Sequence, residues 1–277
     1  MVNSLHNQIR YFCDYFSPYQ ESYVLIGGAA CATWYKDYTP GFRATRDLDI
    51  VLILEQLHSD FVEAFLQFIH QAGYKQWEKF NPDGETKKVM YRFISPSDMK
   101  APEQLELLSR KGNIPTLDEA CTVAPVKTED EYTGLSCIIL DDNYYHFLTE
   151  HVNRVDNLSL LSIPALILLK IRAFLNLKEQ YASGAIKGSD KSQTNISKHR
   201  NDIFYMLTDL GDFQQSSIIL PAALKKDVIQ FSSMFPSHSA EWMSIRSHIK
   251  SKHGKAVAEY ITPELLLEQL FSLFPMD

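Results

Sequence analysis

The chain has 277 residues, of which 45% are hydrophobic, 22% charged and 12% aromatic, with a formal net charge of −7. That supplies ample core for two domains and excludes a disordered chain. The acidic balance argues against a general nucleic-acid coat protein while leaving room for a local basic groove.

The first residues, MVNSLHNQIRYFCDYF, lack the basic start and continuous apolar run of a signal peptide. No later apolar run nears the ~20 residues that span a bilayer. A soluble, cytoplasmic protein with no membrane partner is the expectation. Cys13, Cys31, Cys121 and Cys137 are scattered without a CxxC pair, so reduced, mostly buried thiols are expected rather than zinc or disulfides.

In chain order, residues 3 to 16 carry apolar positions at helical spacing, and YVLIGG (23 to 28) is a short β-rich run ending in two glycines. Ala29 to Tyr35 reads as helix, Asp37 to Phe42 as a Pro/Gly loop, and Asp47 to Leu54 as a second strand. Residues 58 to 73 repeat apolar side chains at i, i+3, i+4 and i+7, with Ser59 or Asp60 as N-cap. KKVMYRFI (87 to 94), EQLELLSR (103 to 110), LSCIIL (135 to 140) and RVDNLSLLS (154 to 162) read as further strands. Asp141 and Asp142 read as a turn at a strand end. From Ile163 the pattern is helical: a helix to about Gln180, a polar loop over YASGAIKGSDKSQTNIS, a helix over 198 to 210, and three or four more over 221 to 277. The predicted fold class is α/β (α+β), with a mixed-sheet domain over 1–160 and an α-helical domain over 161–277 that contributes to the active-site cleft.

Asp47 and Asp49 stand at the head of an apolar strand. Alternation puts both on one face, with Cα atoms about 6.6 Å apart, while Leu48 and Ile50 share the other. Paired carboxylates repel, and a divalent cation relieves the repulsion. Two such ions clamp the attacking and leaving oxygens in phosphoryl or nucleotidyl transfer, and Mg²⁺ prefers oxygen ligands. A third carboxylate belongs on a neighbouring strand: Glu106 is the first candidate, because Leu105 and Leu107 face away from it, and Glu103 the second. Asp141 and Asp142 rank lower. Gly27 and Gly28, between strand and helix, let backbone N–H groups approach a phosphate. His146 and His151 read as structural or exposed. No HExxH, G-x-S-x-G or Walker A lysine loop is present.

LIGGAACATW followed by RATRDLDIVL resembles the signature of the polymerase-β-type nucleotidyltransferase superfamily. Arg43, Thr45, Arg46, Asp47 and Asp49 together are most similar to the AbiEii-type nucleotidyltransferase toxins. The resemblance spans roughly residues 20 to 210 and is specific around 25 to 53. It implies an NTP as donor and two Mg²⁺ ions held by Asp47, Asp49 and Glu106. It further implies nucleotide contacts from Gly27, Gly28, Arg46 and Lys170, and a catalytic position at Asp202. Glu106 stands where relatives more often have Asp, and RNDIFY where many have further charges. The resemblance also implies an RNA acceptor, a tRNA 3′ end, and an antitoxin partner. Two other readings stand beside it: transfer to a small hydroxylated molecule such as an aminoglycoside, and a non-catalytic protein that keeps the fold to bind nucleotide. A basic groove at Lys170, Arg172, Lys198 and Arg200 would favour RNA.

Overall fold

The computed structural model describes residues 2–35, 47–80, 86–110, 123–127, 132–155, 157–186, 190–210 and 217–276. The Pro/Gly stretch from Asp37 to Phe42, and with it Arg43, Thr45 and Arg46, lies outside the described residues, as does Cys121. The chain divides into two compact units, Met1–Ser162 and Ile163–Asp277.

The first unit is α/β. It contains helices α1 (Val2–Tyr15), α2 (Gly27–Trp34), α3 (Ser59–Gln71) and α4 (Asp142–Glu150). Its strands are β1 (Tyr23–Ile26), β2 (Asp47–Leu52), β3 (Lys75–Phe80), β4 (Thr86–Ile94), β5 (Gln104–Arg110), β6 (Val123–Lys127), β7 (Tyr132–Leu140), β8 (Val152–Val155) and β9 (Leu158–Leu161). They form one mixed sheet in the order β3-β4-β5-β2-β1-β9-β8, with β7 also paired to β5 and β6 to β7. Strand β2 runs antiparallel to β1 and parallel to β5. This is a mixed sheet with helices, the coarse class expected.

Alternation builds its core. Leu48, Ile50 and Leu52 of β2 and Leu105 and Leu107 of β5 are buried on one face. They share the core with Phe12 of α1, Phe16 just after it, and Phe61, Phe65 and Phe68 of α3. Phe12 meets Tyr23 and Phe68 edge to face, with centroids 5.6 Å apart in both pairs. Each such contact adds about 0.5–1.5 kcal/mol to area burial. Helix α3 starts as expected, but His58 holds its cap position and no side chain caps it. The run at 154 to 162 is an antiparallel pair, β8 with β9, rather than a single strand. Asp141 caps α4, accepting from the Asn143 and Tyr144 amides at 3.0 and 3.4 Å.

The second unit is helical: α5 (Ile163–Ala182), α6 (Asp190–Thr208), α7 (Ala222–Ser232), α8 (Ala240–Tyr260) and α9 (Pro263–Leu273). Helix α6 begins at Asp190, inside the stretch expected as loop. Phe174, Phe204, Phe231, Phe235 and Trp242 form its aromatic core, with Phe204 and Phe235 centroids 5.0 Å apart. Gly254, at φ 88°, breaks α8 into two arms. Among the described residues no helix is long and apolar enough to cross a membrane.

Candidate active site

Strand register sets the candidate site. Asp49 pairs with Ile26 of β1 on one side and with Glu106 of β5 on the other, and Glu106 pairs in turn with Arg92 of β4. In-register neighbours project to the same face, so Arg92, Glu106 and Asp49 form a row across three strands, with Asp47 two residues from Asp49 along β2 on that face. Asp47 is exposed; Asp49, Glu106 and Arg92 are half-buried. Glu103 precedes β5 and is exposed, so Glu106 holds the place opposite Asp49.

Gly27 opens α2 directly from the end of β1. Its φ is +65°, and a Cβ there would overlap the Asp49 carboxylate. Glycine is required twice over, for the left-handed backbone and for the close approach. Gly28 follows in the first helical turn and is not among the residues with positive φ. The residue before the helix, Ile26, supplies no side-chain cap. The Asp49 carboxylate therefore lies at the positive end of α2.

Glu106 is engaged. Its Oε1 accepts from Arg92 Nε at 3.1 Å and also from Arg92 Nη2. The three acidic side chains offer hard oxygen donors of the kind Mg²⁺ takes, and the Arg92 guanidinium already stands as a cation against one of them. The donor set fits a divalent cation in kind and in register. Among the described residues, no three or more His, Cys, Asp or Glu side chains are gathered closely enough to hold one.

Comparisons with protein-family models, curated proteins and solved structures found no match. The chemistry of the candidate site therefore rests on its residues.

In the helical unit, two positions singled out by resemblance meet each other. Lys170 of α5 donates from Nζ to Asp202 Oδ2 of α6 at 2.7 Å, and both are buried, at 6% and 7% exposure. Lys170 is thus an interior ammonium with a matched carboxylate, not a lysine reaching from a helix edge to solvent. Two of the other expected basic positions, Arg172 and Arg200, are also committed within the unit. Arg172 reaches Asp227 at 3.3 Å. Arg200 is buried, donates to Asn201 Oδ1 at 3.0 Å and Ser244 Oγ at 3.1 Å, and is held below its ordinary range by burial. Burial, then Lys252, likewise depresses the neighbouring His248.

Other expectations resolve simply. His146 is exposed, and His151 Nδ1 bonds the Phe147 carbonyl at 2.7 Å, a structural role. Cys13 and Cys31 are free, buried thiols, and burial pushes Cys13 up to about 12. Sequence reasoning missed Arg92. The alternation of MYRFI, with Phe93 buried, puts Arg92 on the opposite face, but its meeting with Glu106 depends on strand order, which alternation does not encode. It also missed a second polar cluster: Glu55 Oε1 accepts from Arg110 Nη2 at 2.8 Å, and Oε2 accepts from the Tyr145 hydroxyl at 2.6 Å.

Proposed function

We propose that this chain is a nucleotidyltransferase of the polymerase-β type, moving a nucleoside monophosphate from an NTP to an acceptor hydroxyl. One observation carries this: Asp49 lies against Gly27 at the head of α2 while standing in register with Glu106 on the adjacent parallel strand. The head of a helix and a row of carboxylates thus converge within one unit.

Asp47, Asp49 and Glu106 would hold the divalent cations, which when bound supply Lewis-acid stabilisation of charge on the phosphates. The chain's own contribution is placement. The head of α2 would receive phosphate oxygens at the positive end of the helix. The missing side chain of Gly27 lets the Asp49 carboxylate lie against the head of α2, beside where the phosphates would be received. The β2–β5 register sets the backbone positions that carry Asp47, Asp49 and Glu106 before substrate arrives. The acceptor oxygen bonds to the α-phosphorus, the bond to the αβ bridging oxygen breaks, pyrophosphate leaves and the acceptor proton passes to solvent. Lys170 and Asp202, implied by the resemblance, pair with each other inside the helical unit.

The acceptor implied by resemblance is RNA, with an antitoxin as partner. A specific observation favours the second reading, a small hydroxylated acceptor: the cations Lys170, Arg172 and Arg200 already have partners inside the helical unit. The test is transfer of label from each of four α-labelled NTPs, with Mg²⁺, to total RNA and separately to aminoglycosides. Wild type should label one acceptor class and Asp49→Asn neither. Equal transfer by both proteins would overturn the assignment.

A further inference from the structure

We infer that Arg92 is a positioning residue that competes with a divalent cation for Glu106, so that the third carboxylate joins Asp47 and Asp49 only when the guanidinium lets go. The inference rests on the proposed carboxylate site and adds a control element to it.

Three observations lead there. Arg92 and Glu106 are in-register partners on β4 and β5, so their pairing is fixed by the sheet rather than by two wandering side chains. Two guanidinium nitrogens, Nε and Nη2, converge on the same oxygen, Glu106 Oε1. Glu106 also faces Asp49 across the parallel pair, so the oxygen that Arg92 holds belongs to the same face as the two aspartates.

The electrostatics follow. Three carboxylates on one face carry about three negative charges, and Arg92 offsets one of them where the remaining attraction for a cation would be strongest. A guanidinium cannot deprotonate to step aside, so it must be displaced, and its presence weakens the site for metal. The pair is partly exposed, with side-chain exposures of 29% and 14%, so the exchange needs no opening of the core.

The test is Mn²⁺ binding to the full chain, followed by electron paramagnetic resonance of the free ion. It compares wild type, Asp49→Asn, Arg92→Gln, Arg92→Lys and the double variant Arg92→Gln/Glu106→Gln, each checked for folding by circular dichroism. Arg92→Gln should bind Mn²⁺ on the order of tenfold tighter than wild type, and the gain should vanish in the double variant. Arg92→Lys, which keeps the charge, should stay near wild type. Binding seen only in Arg92→Gln is the same result at its limit. Unchanged affinity in Arg92→Gln, with Asp49→Asn weakened, would overturn the role of Arg92 and leave the carboxylate site standing. Equal tightening in Arg92→Lys would also overturn it. No binding in either wild type or Arg92→Gln would overturn the carboxylate site itself.

Discussion

At Gly27 the backbone and the candidate chemistry make the same demand. Substituting alanine forces a Cβ into a left-handed conformation, at about 1–2 kcal/mol, and into the Asp49 carboxylate. Gly27→Ala should therefore lower the melting temperature and cut Mn²⁺ binding together. Gly28→Ala, free of the left-handed constraint, should leave the melting temperature unchanged or higher. Equal loss in the two variants would mean that the turn matters and the carboxylate contact does not. Glu55 offers a pH-dependent counterpart. Burial opposes its charge, but the Tyr145 hydroxyl, its own backbone amide and Arg110 outweigh that and hold it below the usual carboxylate range. A depressed folded value stabilises the fold above the unfolded carboxylate value of about 4.3, and that contribution is lost as pH falls through the lowered one. Tyr145→Phe should shrink the acid-side slope of melting temperature against pH; an identical slope would remove Glu55 from the acid response.

Among the elements, those with strong period-2 or period-3.6 patterns were legible: α1, α3, α5 and strands β1, β2, β4 and β5 match their patterns closely. Elements lacking such a pattern were not. Strand β3 reads KQWEKF, whose charges suit a sheet edge and mimic a loop. Strand β6 carries Pro125, tolerated because among the described residues β6 pairs with β7 alone. Helix α4 is short, and its capping Asp141 reads as a strand-end turn until the amides it accepts from are seen. The start of α6 is rich in Ser, Asn and Asp, residues that compete with helix backbone. The α5–α6 pair also gives a prediction of its own. Removing one partner of a buried ion pair strands the other, so Lys170→Ala should cost about 3–5 kcal/mol, while an apolar double replacement, Lys170→Met with Asp202→Leu, recovers most of it. Denaturant unfolding followed at 222 nm checks this, and a single substitution without cost would show that the pair is not what holds those helices.

Across the whole molecule, charge is divided unevenly. Of the 27 Lys and Arg, 13 lie in residues 163–277, against 11 of the 34 Asp and Glu, so the acidic excess belongs to the sheet unit. That unit also holds the carboxylate row. The sequence made the Asp47–Asp49 face legible, since alternation alone places it. The Glu106 register follows only from the parallel pairing of β2 with β5, and the Arg92 contact from the strand after that. In the proposed function, Asp47 and Asp49, beside the head of α2, form a cation and nucleotide site. Its most direct measurement is anomalous diffraction from crystals grown with Mn²⁺ and a non-hydrolysable NTP analogue. The predicted result is a manganese peak coordinated by Asp49 and Asp47, with the analogue's phosphates at Gly27 and Gly28. Nucleotide or manganese bound elsewhere, with none at these aspartates, would contradict it.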